Sequence, residues 1–363
     1  MASRSIGSTF FLQTVRMPTI EPDHAPEAPP ADPEQERPNR PGMGWVAVIP
    51  AMVLLFVLAT VRIPYFIIGP GPASDVEPLI QIDKTTVYPS KGHLLLTAVT
   101  FQRASPFQAV AAWIDPAKIL VPERELLAPG QTDQQEAVVA RSEMDTSKID
   151  AAVVALSLES GYPAKHGTGA LVENVYSGTP AEGRLFAGDL VTAVNGTTIQ
   201  VPEDVSKAIL AAGTTGRLDF TVTAAGQTRH VTLTPARIKG VNKPIIGVSM
   251  VDNFPFPLNI SSGNIGGPSA GLAWTLGLID LLTPGDLTGG RSIAGTGTID
   301  LATGKVGEIG GVEQKVVAAE RAGATIFFCP TGNVAAARGV ASHITIVPVR
   351  TYTDALEYLK LHP

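Results

Sequence analysis

Gly266-Gly267-Pro268-Ser269-Ala270-Gly271 is the stretch on which the reading of this chain turns. The glycine-rich turn 263–267 runs into a proline, and Leu272, Leu276, Ile279 and Leu282 follow at helical spacing. Proline at a first helical position is preorganised and forfeits no hydrogen bond. The pattern predicts a helix from Pro268 with Ser269 in its first turn, where backbone N–H groups lack intrahelical partners. Those donors and the positive helix end suit the oxyanion of a tetrahedral intermediate. Gly266 and Gly267 permit close approach of a substrate carbonyl. Gly266, Gly267 and Pro268 are therefore the candidate oxyanion and substrate loop, and Ser269 the candidate nucleophile.

A serine hydroxyl is a poor nucleophile until a base takes its proton. The six histidines offer no convincing partner. His24 lies in a Pro-rich tail, His93 and His230 in strand-like stretches, and His166 in a loop. His343 precedes a terminal strand and His362 is next to last. A lysine can serve if it is neutral, and desolvation lowers a lysine pKa. The second glycine pair, Gly310-Gly311, opens Val312-Glu313-Gln314-Lys315, with Val316, Ala318 and Ala319 as further apolar neighbours. Alone, Lys315 reads as a solvated helix lysine. Beside Gly-Pro-Ser-Ala-Gly it reads as the general base.

Composition narrows the remaining classes. The chain has 363 residues, 44% hydrophobic, enough for two modest domains or one large one. Net charge is −6 with no basic stripe, which sets nucleic acid aside as a partner. The 36 glycines and 30 prolines predict many turns and some unfolded sequence. A single cysteine, Cys329, excludes an intramolecular disulfide and a multi-cysteine zinc site, and no metal or cofactor is expected. Cys329 ends the apolar run from Thr325 and reads as a buried strand residue. No G-x-x-x-x-G-K-[ST] motif occurs, so no nucleotide is expected. Gly304-Lys305 is followed by Val306 and reads as a hairpin turn.

Residues 18–41 are rich in Pro, Glu and Asp, and 1–43 are expected to form a disordered tail. The first seventeen residues are unusual, and Met17 and Met43 are alternative starts. Trp45 to Val61 is an uncharged apolar run, and about 20 apolar residues span a bilayer core. One transmembrane helix is expected over 44–68, with Pro50 bending it. A buried core helix is disfavoured by the flanking tail and by Gly69-Pro70-Gly71-Pro72, and a cleaved signal peptide by the missing A-x-A site. Arg37 and Arg40 precede the run and Arg62 follows it, a bias toward the N-terminus inside. The chain then reads as a single-pass cell-membrane protein with an extracytoplasmic catalytic part. Residues 75–159 read as a connecting α/β region packing with that part. Within it, 79–100 is strand-like, and 145–159 is helical with Asp145 or Thr146 as cap.

Residues 160–235 form a β-rich block. Its order is strand, turn, strand, Asn195-Gly196 turn, helix, hairpin. With SGTPAEG and AGDLVTAVNG, it resembles a PDZ domain of the bacterial protease-associated type. The resemblance implies that an extended peptide adds as a strand while loop N–H groups hold its C-terminal carboxylate. The implied loop is Gly167-Thr168-Gly169, with Ala170 and Leu171 starting the pairing strand. A β-rich spacer is the alternative.

The segments IGGPSAG, IAGTGTID and IGGVEQKVVAAERAGA resemble the proteolytic domain of Lon-type Ser-Lys peptidases. With the apolar helix and PDZ-like block ahead, residues 45–360 resemble the bacterial membrane-anchored PDZ-Lon peptidases. The resemblance implies an α+β proteolytic domain over 236–363. It implies Ser269 as nucleophile, Lys315 as general base, and the Thr296 hydroxyl as support for the lysine amine. It also implies assembly, often as six-membered rings. Gly266 stands where many ATP-driven Lon enzymes carry an acidic residue, and the ATPase is missing. The expected function is a membrane-anchored, ATP-independent serine endopeptidase acting on proteins or peptides recruited by the PDZ-like block. A catalytically weak or inactive adaptor on a membrane tether is the alternative.

Overall fold

The computed structural model describes residues 44–238 and 242–363; the expected tail over 1–43, with its alternative starts, lies outside the described residues. Helix α1 (Gly44–Thr60) contains Pro50, and its exposed residues include Ile49, Met52, Val53, Leu54, Leu55 and Phe56. It stops short of the expected 44–68. Pro64 lacks a backbone donor, and Tyr65-Phe66-Ile67-Ile68, aromatic and β-branched, opens strand β1 (Tyr65–Asp75) instead. Among the described residues no helix is long and apolar enough to cross a membrane.

The chain continues through β2 (Ile80–Ile82), β3 (His93–Arg103), α2 (Pro106–Ile114), β4 (Ile119–Pro122), the single turn α3 (Glu123–Leu126) and the long α4 (Asp133–Glu159). A β-rich block follows: β5 (Gly167–Val175), β6 (Leu190–Val194), β7 (Thr197–Thr198), α5 (Pro202–Ala212), β8 (Leu218–Ala224), β9 (Gln227–Leu233) and β10 (Val248–Asn253). The remainder comprises β11 (Leu258–Ile260), α6 (Gly271–Leu282), β12 (Ser292–Gly295), β13 (Thr298–Ile299), β14 (Val306–Gly307) and α7 (Val312–Arg321). It ends with β15 (Ile326–Pro330), α8 (Val334–Val340), β16 (Thr345–Val349) and α9 (Tyr352–Leu361).

The main sheet runs β16-β15-β12-β3-β1-β4, so it joins strands from both ends of the described chain. β12 lies parallel to both β3 and β15. Strand side chains alternate between faces, and this sheet buries both. Leu94, Leu96, Ile293 and Phe328 face a core completed by α4, α6 and α9, including Ala151, Ala155, Trp274, Leu276 and Leu356. Leu95, Ala294, Phe327 and Cys329 face the opposite core, completed by Val312, Val316 and Ala319 of α7 and Ala337 of α8. The result is helix–sheet–helix layering. Cys329 is fully buried there, and burial pushes its thiol up to about 12.

Helix α4 is almost twice the expected length. Its cap is Thr132, not Asp145 or Thr146: the Thr132 Oγ1 accepts the Gln135 N–H, and the Gln135 Oε1 accepts the Thr132 N–H. Its first turns carry exposed Val138 and Val139 and lack the buried apolar face of the second half.

The β-rich block has the sheet order β10-β5-β6-β8-β9, with β7 on β6, around Val172, Val191, Phe220, Val222 and the α5 residues Val205 and Ile209. Asn195 and Gly196 both adopt positive φ, as a tight turn between β6 and β7 requires. One strand comes from the expected C-terminal block: β10 pairs with β5 from Val248↔Val175 to Asn253↔Gly167. The hairpin at Gly304-Lys305 forms as expected between β13 and β14, with Gly304 at φ 65.

One buried carboxyl pair makes stability depend on pH. Glu77 Oε2 accepts the Ser90 N–H (3.1 Å) and Asp280 Oδ1 accepts the Leu287 N–H (2.8 Å). The other oxygens, Glu77 Oε1 and Asp280 Oδ2, are buried without a donor. Desolvation first, then the neighbouring Asp280, raises Glu77 to about 7, which favours a proton shared by the two carboxyls. A raised carboxyl stabilises the fold fully below its unfolded pKa near 4.5 and loses that contribution as pH climbs through about 7. Glu77→Gln keeps a donor at that position. Thermal unfolding across pH 5 to 8 is expected to show wild-type Tm falling relative to the variant, and parallel curves would contradict the shared proton.

Candidate active site

Ser269 sits in a 3-10 turn, Pro268–Ala270, and the α-helix α6 begins only at Gly271. The expected helix start at Pro268 is therefore one tighter turn, closed by the Gly271 N–H donating to Pro268 O. Gly267 has φ 87, a conformation that a side chain would strain. The loop is held at successive residues. The Gly267 N–H donates to Ala140 O of α4 (2.6 Å), and the Ser147 hydroxyl of α4 donates to Pro268 O (2.9 Å). Ser269 O accepts both the Thr296 hydroxyl (3.1 Å) and the Gly297 N–H (2.9 Å). Ser269 itself is half-buried.

Lys315 lies in the first turn of α7, after Gly311 at φ 68, and is only 2% exposed. Its Nζ is 2.6 Å from Ser269 Oγ and 3.1 Å from Thr296 Oγ1. Thr296, just past β12, is fully buried. Because the Thr296 proton goes to Ser269 O, its oxygen is left to accept an N–H of the lysine. A neutral amine held in this way turns its lone pair toward the serine hydroxyl. Desolvation alone depresses Lys315 from 10.5 to about 8, with no carboxylate contributing. Val312, Val316, Ala318 and Ala319, the expected apolar neighbours, are all buried. Ser269, Lys315 and Thr296 are thus brought together. His93 and His230 instead pair with Asp75 (2.7 Å) and Asp219 (3.1 Å).

Ala140, Ser147 and Gly297 escaped the sequence reading. Gly297 belongs to the Thr-Gly run already quoted, but nothing in the sequence around Ser147 points to a carbonyl 121 positions away.

The peptide-binding assignment in the β-rich block is corrected. Strand β5, with Ala170 and Leu171, is paired on one edge with β10 and on the other with β6, so no further strand can join it. The Gly167-Thr168-Gly169 loop is occupied too: the Gly169 N–H donates to Gln200 O, and Asn253 Nδ2 donates to Thr168 O. The sheet ends on β9 at one side and on β10 at the other, so β10 presents an open edge. A groove of about 380 Å³ lies between it and α5, lined by Val205, Ile209, Leu210, Ile246, Gly247 and Met250 among others. Among the described residues the N–H groups of Ile246 and Gly247 donate to no backbone carbonyl, and Gly247 has φ 86. The run Pro244-Ile245-Ile246-Gly247-Val248 was the available signal. It lies beyond the expected block boundary at 235, in the stretch assigned by sequence to the next domain.

Comparison with known proteins crosses that boundary, since the family match begins inside the β-rich block. Residues 188–360 match the family model of the Lon protease (S16) C-terminal proteolytic domain. Similar curated proteins include the Lon protease of Desulfosudis oleivorans, 40% identical over 84 residues, covering 23% of this chain and 10% of that protein. The Lon protease of Elusimicrobium minutum is 38% identical over 106 residues, covering 29% and 12%. This chain therefore spans about a tenth of the length of these relatives. Similar solved structures include the PDZ domain of an SdrC-like protein from Listeria innocua. It is 22% identical with a TM-score of 0.22, over 23% of this chain and 92% of that one. The corresponding domain from Listeria monocytogenes is 21% identical with a TM-score of 0.22, over 23% and 86%. The match over residues 188–360 supports the resemblance of this part of the chain to the Lon-type proteolytic domain.

A buried amine with a depressed pKa is a stability deficit. The deficit is complete below the folded pKa near 8 and relieved as pH rises toward the unfolded value of 10.5. Lys315→Met, similar in shape and uncharged, is expected to raise Tm at pH 6 to 7 and to lose that advantage near pH 10. Thermal unfolding of both proteins across that range checks the sign; a lower Tm for the variant at pH 6 would contradict it.

Proposed function

We propose that this chain is an ATP-independent serine endopeptidase with a Ser269–Lys315 dyad. The observation that carries the reading is the 2.6 Å approach of a desolvated Lys315 amine to the Ser269 hydroxyl. The Lon-type match over residues 188–360 supports the same reaction class. Peptide carbonyl carbon meets Ser269 Oγ while Lys315 Nζ takes the hydroxyl proton. The oxyanion forms against an N–H of the turn carrying Ser269, since the Gly271 and Leu272 N–H groups that open α6 already donate to Pro268 O and Gly297 O. Lys315 then returns the proton to the leaving amine, and water, deprotonated by the same amine, releases the acyl group. Thr296 orients Nζ, and Gly266, Gly267 and Pro268 border the position of the substrate carbonyl.

Recruitment is assigned to the groove between β10 and α5. An extended C-terminus would pair with the free β10 edge, and its carboxylate would meet the Ile246 and Gly247 N–H groups. The apolar lining favours a hydrophobic terminal side chain. Helix α1 is proposed as a membrane anchor with the catalytic part outside the cytoplasm. Its exposed residues are almost wholly apolar, as in a helix whose solvent is lipid. Seventeen residues rise about 25 Å, against about 30 Å of hydrocarbon, a mismatch that local thinning absorbs. Association into rings is carried over as part of the same proposal.

A second reading, an adaptor that binds without turnover, draws on the Gly267 N–H, which is engaged by Ala140 O. A fluorophosphonate probe separates the two, since only an activated serine reacts readily. Ser269→Ala and Lys315→Ala are each expected to abolish labelling and peptide cleavage while the variants remain folded. If both still cut a peptide that the wild type cuts, the dyad is wrong.

The pH profile carries its own sign. Only neutral Lys315 accepts a proton, so activity rises as pH climbs through about 8. A profile flat from pH 6 to 9.5 would remove the lysine from the base role. Leu210→Glu, at an exposed groove position, is expected to weaken capture of a peptide with a hydrophobic C-terminus at least about tenfold, leaving cleavage of a short unanchored peptide unchanged. Equal binding by both proteins would remove the groove assignment.

A further inference from the structure

Helix α2 is built inside out. Phe107, Val110, Ala111 and Ile114 recur at the spacing of one helical stripe, yet all four are exposed. Trp113 beside them is 84% exposed and Ile114 73%. The face turned inward consists of small residues: Ala112 and Ala109 pack with Ile67, Ala104 and Ile63. A soluble helix of this length normally places its large apolar side chains in the core and leaves alanine to the margin. The helix is well specified locally, with Pro106 in its first turn and a Ser105–Gln108 capping box, so its orientation is no accident of a frayed end.

Its position says what covers it. Only residues 61–64 separate the end of α1 from β1, at most about 14 Å of extended chain. Within that linker the Ile63 N–H donates to Ala104 O (2.9 Å), one residue before the α2 cap. Arg62 Nη1 donates to Gln108 Oε1 of α2 (2.9 Å) and to Arg103 O (3.2 Å). The linker that leaves α1 is thus bonded to the start of α2.

We infer that α2 is an interfacial helix lying on the bilayer, with Phe107, Val110, Trp113 and Ile114 set at the boundary between headgroups and acyl chains. The occupant is the lipid surface itself, for two reasons. The α2 cap is bonded to the four-residue linker that leaves a helix whose exposed side chains are nearly all apolar, and the aromatic and aliphatic composition of the face with one highly exposed tryptophan is that of side chains that partition to this depth. The inference rests on the reading of α1 as an anchor. It adds a second attachment, which would fix the orientation of the catalytic body relative to the membrane.

The test uses the full chain reconstituted in vesicles containing phosphatidylcholine brominated along the acyl chain. Three tryptophans are present, and Trp274 is fully buried. In a Trp45→Phe background, quenching therefore reports Trp113. Shallowly placed bromines are expected to quench more than deep ones, and Trp113→Ser in the same background is expected to abolish quenching. Alkaline carbonate extraction of the same vesicles reports the anchor separately. Retention without quenching of Trp113 would overturn the interfacial helix alone; release into the supernatant would overturn the anchor and this inference with it. Unquenched emission that shifts to the blue as protein density rises would assign the face to a second copy of the chain and overturn the lipid assignment.

Discussion

An ammonium ion at position 315 would sit stripped of water, with two hydroxyls as its polar company and no carboxylate contributing to its pKa. Burying an unpaired charge is expensive, whereas burying a neutral amine with two hydrogen-bond partners is not. The neutral amine is therefore what the fold selects, and the rest of the site is arranged around it. Val316 and Ala319 hold α7 against the sheet and so fix the backbone from which Lys315 projects. Thr296 has given its proton to Ser269 O, so it stands to the lysine as an acceptor. The same pair of donors on Ser269 O fixes the backbone from which the nucleophile projects.

The sheet explains why residues so far apart in sequence meet. Helices α6 and α7 pack on opposite faces of the same strands, α6 with Leu94, Leu96 and Ile293, α7 with Leu95 and Ala294. Each brings its N-terminal turn to the site, and Thr296 follows directly on β12, the first strand after α6. The site thus straddles the sheet where a central parallel strand ends. Such points collect ligands in layered α/β structures, because helix starts and loops converge there. Changing the alternation of a single central strand would move one helix away from the other.

How much of this was legible depends on the range of the forces involved. The serine turn, the glycine-led lysine helix and the hairpin at Gly304 are local, and local chemistry specifies them: proline preorganisation, apolar spacing, positive φ. The buried lysine was legible because its apolar neighbours share its helix. What escaped was non-local or marginal. The first half of α4 buries little, so no periodicity marked it, although the Thr132–Gln135 box was there to be read. The end of the apolar run after Thr60 turned on strand pairing with β3 and β4, which the sequence near Pro64 does not announce. The peptide edge was misassigned for the same reason. Which strand of a sheet is exposed depends on pairing order, and β10 enters that order from 73 positions beyond its partner's end at Val175.

That long-range strand also bears on how the two cores communicate. Consecutive residues of α4 reach in different directions. Thr146 donates to Glu173 O of β5 (2.9 Å), and Ser147 donates to Pro268 O, next to the nucleophile (2.9 Å). Strand β5 is the direct neighbour of β10, the free edge beside the groove. Three packed elements therefore separate the groove from the Ser269 turn, and each junction is a hydrogen bond or a strand ladder rather than a mobile linker. A close-packed interior resists continuous deformation, so a shift of β5 along α4 would be felt at both carbonyls. The inserted block is in this respect part of the catalytic scaffold, joined to it by α4, which also supplies the carbonyl that holds Gly267.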